Sequence, residues 1–222
     1  CKIFFISPAR SLNRSIFDLI IKIPNKKKIS INNIEIPLIG FHNISNAAAT
    51  FALTSHIGIS TSLIKKSLKD FQGVERRFNK VFDFNGVTFF DDYAHHPTEI
   101  KEVLNGVKKS FLNKKVISIF QPHRISRLND LSSDFSKSFK NSDQVLLCPV
   151  FKAGEKIKLK FKYEKFARDI SKNSKALVIM VNQKQDLVNF FKNNLKGNEI
   201  VIGMGAGSIS GWLKELKNFL KQ

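Results

Sequence analysis

A chain of 222 residues with 42% apolar content can bury a real core, which excludes a disordered or fibrous protein and points to one large domain or one domain plus part of another. Its formal charge of +19 comes overwhelmingly from Lys scattered among Asn, Ile and Phe. Phosphate and base recognition favours the planar fork of Arg, so the charge reads as a solvated surface and no nucleic-acid partner is expected.

The chain opens on Cys1 rather than Met and runs at once into the strand-like residues 2–6, so its beginning is expected to lie upstream. Two or three strand-like pieces extend to Leu38 and Ile39, followed by an Ala-rich helix over 44–56 and another over 62–70. A domain boundary is placed within 73–78. From Gly86 onward, short apolar runs at 87–90, 116–120, 145–150, 176–181 and 199–202 alternate with amphipathic segments at 98–111, 128–140, 163–172, 185–195 and 209–220. That alternation predicts an α/β domain with a parallel sheet wrapped by helices. Cys148 falls inside an apolar run and reads as a buried thiol; with Cys1 it makes no disulfide framework, so a reducing, cytoplasmic setting is expected. No apolar stretch approaches the roughly 20 residues that cross a bilayer, and no membrane partner is expected.

Ligands of open α/β sheets bind beyond the carboxyl ends of the strands, so the residues after each apolar run carry the chemistry. After the first comes Asp91-Asp92-Tyr93-Ala94-His95-His96-Pro97-Thr98-Glu99, with Pro97 suited to a first helical turn. After the second comes Gln121-Pro122-His123-Arg124-Ile125-Ser126-Arg127, which lies beside the first cluster if the strands are neighbours. After the last comes Gly203-Met204-Gly205-Ala206-Gly207-Ser208, where glycines let backbone approach a ligand or simply permit a tight strand-to-helix turn. Anionic and cationic groups converging on one sheet edge suit an anionic substrate and a phosphate-transfer or acyl-transfer step. Earlier, Gly40-Phe41-His42-Asn43-Ile44-Ser45-Asn46 opens the Ala-rich helix; its polar groups read a purine edge or cap the helix. Gly73-Val74-Glu75-Arg76-Arg77-Phe78 puts paired arginines at the proposed junction, where a nucleotide is commonly clamped.

These motifs, in this order and spacing, resemble those of the Mur ligases over essentially all 222 residues. The run 121–127 and the segment Val150-Phe151-Lys152-Ala153-Gly154-Glu155 are similar to the members that join L-alanine to UDP-N-acetylmuramate. The resemblance implies that residues 1–75 form the end of a central ATP-binding α/β domain and residues 76–222 a C-terminal Rossmann-like domain with a doubly wound sheet. It implies an ATP- and Mg²⁺-dependent ligase whose partners are ATP, UDP-N-acetylmuramate and L-alanine. By motif match, His42 and Asn43 lie by the adenine, Arg76 or Arg77 reaches the nucleotide, and Asp91 or Asp92 contacts ribose or orders the junction. Tyr93, His95, His123, Arg124 and Arg127 surround L-alanine and the transferring phosphate, with His95, His123, Arg124 and Arg127 as the catalytic set. No metal ligand is assigned within the chain, and the family's Gly-x-x-Gly-Lys-Thr phosphate loop has no counterpart in it, so Mg²⁺ is expected to be held mainly outside these residues and the isolated chain is expected to be inactive. The competing readings are a murein peptide recycling ligase, which shares the Asp-Asp-x-Ala-His-His-Pro run, a metal-dependent phosphoesterase built on Asp91, Asp92, His95, His96 and His123, and a basic nucleic-acid-binding module.

Overall fold

A computed structural model describes residues 2–11, 14–22, 28–38, 41–71, 73–155 and 161–221. The chain folds as two compact units, Cys1–Val74 and Glu75–Gln222.

In the first unit three strands, β1 (Lys2–Ser11), β2 (Arg14–Lys22) and β3 (Ile29–Ile36), form an antiparallel sheet in that order. Strand β2 alternates as a half-covered strand must, burying Phe17, Leu19 and Ile21 on one face. Ile31, Ile34 and Ile36 of β3 join them. Two helices, α1 (Phe41–His56) and α2 (Thr61–Asp70), complete the core with Ile44, Ala47, Ala48, Phe51 and Ile64. The small alanines of α1 lie against the sheet, where a bulkier residue would hold the helix away.

The second unit contains β4 (Asn79–Phe84), β5 (Val87–Asp92), α3 (Pro97–Ser110), β6 (Lys115–Phe120), α4 (Ile125–Asp130) and α5 (Ser132–Ser136). It continues through β7 (Gln144–Leu147), α6 (Tyr163–Ser174), β8 (Leu177–Met180), α7 (Lys184–Asn194), β9 (Glu199–Met204) and α8 (Ile209–Lys221). The six strands run in the order β4-β5-β9-β6-β7-β8, all parallel except β4, which pairs antiparallel with β5 at the edge. The sheet is covered on both faces, and the strand sequences alternate accordingly. Val116, Phe120, Val145, Leu147, Ile200 and Ile202 meet α3, α5 and α6 on one side. Val87, Phe89, Ile117, Ile119, Leu146 and Val201 meet α7 and α8 on the other. Near-continuous apolar runs such as Val116 to Phe120, interrupted by Ser118, are the expected signature of strands buried twice. The α/β, doubly wound reading therefore holds.

Three details depart from the sequence-based expectation. Strand β4 was not anticipated, although Asn85-Gly86 between alternating Phe residues marks a two-residue hairpin and both adopt positive φ, 47° and 76°. The single helix expected over 128–140 is two short helices that break at Leu131, within a run of Asn, Asp and Ser whose side chains compete for backbone hydrogen bonds. Strand β7 ends at Leu147, and the chain beyond it follows the loop after β6 instead: the Cys148 amide donates to the Phe120 carbonyl and Phe151 bridges His123.

Candidate active site

Strand β9 lies between β5 and β6, so the loops after these three strands emerge side by side at one edge. The helices cross to opposite faces there, the position at which doubly wound folds open a crevice.

The loop after β5 is organised by its own carboxylates. Asp92 is buried; its Oδ1 accepts from the Ala94 amide at 2.7 Å and its Oδ2 from the Phe78 amide at 2.9 Å. These bonds tie Phe78, just before β4, to the end of β5 and the loop after it. Burial, only partly offset by the two amides, pushes the Asp92 carboxyl up to about 6. Asp91, also buried, accepts from the Ser210 hydroxyl at 2.5 Å and pairs with Arg76 Nε at 3.5 Å. Arg76 Nε and Asp91 Oδ1 are buried with no hydrogen-bond partner among the described residues. His96 caps α3: its ring accepts from the Thr98 amide, and Glu99 reaches back to the His95 and His96 amides in a capping box. His96 is thus absorbed by the helix start, and His95 is anchored beside it, with Nδ1 3.0 Å from the Tyr93 carbonyl and 3.4 Å from Glu99 Oε2.

Around Tyr93 the cationic groups gather. The guanidinium carbon of Arg76 stands 4.8 Å from the Tyr93 ring centroid and that of Arg77 5.8 Å, both within cation–π range. Arg76 also donates to the carbonyl of Gly205 in the loop after β9. Its backbone is held in the left-handed region, φ 61°, while its carbonyl accepts the Tyr93 amide. The other side of Tyr93 meets His95 edge-on at 5.1 Å, and His95 meets His123 of the loop after β6 at 5.8 Å. His123 lies 3.5 Å from Arg127 and stacks on Phe151 at 5.6 Å between ring centroids. Burial first, then the neighbouring Arg127, His95 and Arg124, hold His123 below the usual histidine range. Arg124 is exposed and takes φ 70° at the start of α4.

Tyr93, His95, His123, Arg76, Arg77 and Arg127 therefore form one continuous cluster, with Arg124 beside it at the head of α4. His42 and Asn43 lie in the first turn of α1 in the other unit.

The glycine loop serves close packing. A Cβ on Gly205, whose φ is 146°, would lie 2.6 Å from the Gln121 carbonyl oxygen, and one on Gly207 would lie 2.5 Å from Phe151 Cγ. Gln121, buried, explains why: its carboxamide donates to the Ser208 hydroxyl at 3.0 Å and accepts the Ile209 amide at 3.0 Å, latching the loop after β6 to the start of α8. The sequence analysis reads neither the latch nor Ser210, since a Gln before a Pro and a Ser in a helix carry no local signal of partners 87 and 119 residues away.

Among the described residues no three His, Cys, Asp or Glu side chains converge as a metal site. With Asp92 and His96 occupied as above and one oxygen of Asp91 taken by Ser210, the described residues at this edge do not by themselves assemble a Mg²⁺ ligand set.

Residues 76–207 match the family described as Mur ligase, glutamate ligase domain. Together with the doubly wound sheet and the cluster at its edge, this places the chain in the Mur ligase family. Two of its relatives carry the name of one member of that family. The chain is 55% identical, over 92% of its length, to a UDP-N-acetylmuramate--L-alanine ligase of Pelagibacter ubique, and 36% identical over 94% to one of Bartonella tribocorum. It spans less than half of those proteins, 44% of each. The crystal structure of the UDP-N-acetylmuramate-alanine ligase of Thermotoga maritima shares its fold, with a TM-score of 0.75 over 99% of this chain and 46% of that one at 24% identity.

Proposed function

We propose that this chain supplies the amino-acid-binding part of an ATP-dependent ligase that joins L-alanine to UDP-N-acetylmuramate, a cytoplasmic step of peptidoglycan precursor synthesis. The muramate carboxylate is a poor electrophile until ATP phosphorylates it. The alanine amine then attacks the acyl phosphate, the tetrahedral intermediate collapses, and inorganic phosphate leaves as the amide forms. The demand on the protein is positioning and neutralisation of negative charge. In this reading Arg124 and Arg127 hold the alanine carboxylate and the departing phosphate, while His95, His123 and Tyr93 wall the site. Arg76 or Arg77 reaches the nucleotide, and His42 and Asn43 flank the adenine. Mg²⁺ belongs to the family reaction and is held by residues other than the cluster described here.

The observation that carries this reading is the approach of His95 to His123, 5.8 Å between ring centroids, with Arg127 3.5 Å from His123. It joins the two motif-bearing loops into one cationic, partly buried site suited to an anionic, carboxylate-bearing substrate. The recycling ligase has no feature of this site in its favour over L-alanine, and the relatives at 55% and 36% identity are named for L-alanine.

The test is release of ADP and phosphate with ATP, Mg²⁺, UDP-N-acetylmuramate and a panel of amino acids, on this chain and on the gene extended upstream to its relatives' length. Turnover with L-alanine is expected in the extended protein only, because no Gly-x-x-Gly-Lys-Thr run occurs among the 222 residues. Silence in both, or preference for a murein tripeptide over L-alanine, would reject the reading.

A further inference from the structure

The segment between β7 and α6 contains a carboxylate with no part in the reaction just described. Glu155 Oε2 accepts the Ile125 amide at 2.7 Å and the Ser126 amide at 3.4 Å, and its Oε1 accepts the Ser126 hydroxyl. Ile125 is the first residue of α4, so Glu155 satisfies the amides that a helix start leaves open. The same segment takes the preceding amide: Arg124 donates to the Phe151 carbonyl at 2.9 Å. Three successive amides, those of Arg124, Ile125 and Ser126, are thus held by residues 151 and 155.

This arrangement stabilises a backbone that does not stand by itself. Arg124 is left-handed, and for a side chain larger than glycine that conformation costs about 1–2 kcal/mol and persists only where the surroundings impose it. Helix α4 has six residues, too few to be stable alone. The segment is itself bent to deliver the carboxylate, with Ala153 at φ 51° and Gly154 at φ 78°, and the Glu155 amide closes the turn on the Lys152 carbonyl. The Ser126 hydroxyl and the two amides keep the Glu155 carboxyl below the usual glutamate range, so it is ionised at neutral pH.

We propose that Glu155 is the positioning residue of the cationic cluster: by capping α4 it holds Arg124 in its left-handed conformation and sets where Arg124 and Arg127 meet the carboxylate of L-alanine. The placement of α4 follows from the geometry alone; its consequence for alanine rests on the ligase reading above. Conservative replacement separates charge from shape, since Gln keeps one acceptor oxygen and Ala keeps none.

Two measurements on Glu155→Gln and Glu155→Ala decide the matter. In the extended enzyme, Glu155→Ala is expected to raise the L-alanine KM by about tenfold or more, the loss of a charge-assisted contact. KM for ATP and for UDP-N-acetylmuramate should stay within about twofold, and Glu155→Gln should recover part of the difference. An unchanged alanine KM, or equal losses for all three substrates, overturns the proposal. In the present chain, amide exchange at Ile125 and Ser126 should accelerate in Glu155→Ala, and the His123 ring should titrate lower in both variants. Among the charged groups acting on that ring, Glu155 raises its pKa against Arg127, His95 and Arg124. Unchanged protection together with an unchanged His123 titration overturns the proposal even if the wild-type enzyme shows no alanine-dependent turnover, an outcome that by itself rejects only the ligase reading. If Glu155→Ala does not fold, Glu155→Gln carries both measurements.

Discussion

At the residue scale the cluster divides into side chains already engaged by the fold and side chains left to a ligand. In the ligase reading Arg124, and Arg127 beside His123, belong to the second group. A bidentate guanidinium grip on a carboxylate contributes about 1.5–3 kcal/mol, so Arg124→Ala or Arg127→Ala should raise the alanine KM of the extended enzyme about tenfold to a hundredfold. Steady-state kinetics with alanine as the varied substrate checks this, and unchanged values in both variants would contradict the assignment. Asp92 belongs to the first group, and its raised pKa makes its effect on stability dependent on pH. The folded protein binds the Asp92 proton more tightly than the unfolded chain does, so the stability contributed there is greatest below about pH 4 and is lost as pH rises toward about 6. Melting temperatures of wild type and Asp92→Asn should therefore converge or cross between pH 4 and 7, the wild type losing ground as pH rises. A gap that widens in the wild type's favour over that range would show the sign to be wrong.

At the level of elements, the glycines after β9 separate packing from ligand binding. Gly205 combines φ 146° with an approach of 2.6 Å between a would-be Cβ and a backbone oxygen, and neither can relax without moving the Gln121 latch. Gly205→Ala should cost about 2 kcal/mol or more, a loss that chemical denaturation would register. Gly106, inside α3 with open space around it, is the internal control. Gly106→Ala should stabilise by about 0.5–1 kcal/mol, because alanine has the higher helix propensity. Equal effects at the two positions would mean that the loop after β9 is not held as described.

For the molecule as a whole, the second unit has a core on each face of its sheet, and its six strands are joined without a strand from the first unit. Residues 75–222 expressed alone should therefore fold with one cooperative thermal transition. A non-cooperative melt, or dye binding typical of exposed core, would show that residues 1–74 are needed to complete it. The excess of positive charge also acts at this scale. A net charge of +19 repels like-charged copies and attracts anions in general, and salt screens both effects.

The class of fold and most of the site were legible in the chain because they rest on local patterns. Apolar runs of strand length separated by amphipathic segments dictate a covered parallel sheet, and the motif 91–99 announces both a strand end and a helix cap. His95, His123 and Arg127 stand out by motif resemblance, whereas Asp92 and His96 of the same run serve the loop and the helix cap, a division that the motif alone does not make. What only the tertiary structure decided is partnership at a distance. That β9 inserts between β5 and β6, that Gln121 latches α8, and that Glu155 caps α4 thirty residues away all depend on strand order and loop path. Sequence periodicity carries no information about those, because an amide or a carboxylate finds its partner across space while a hydrophobic pattern records only which face of its own element is buried.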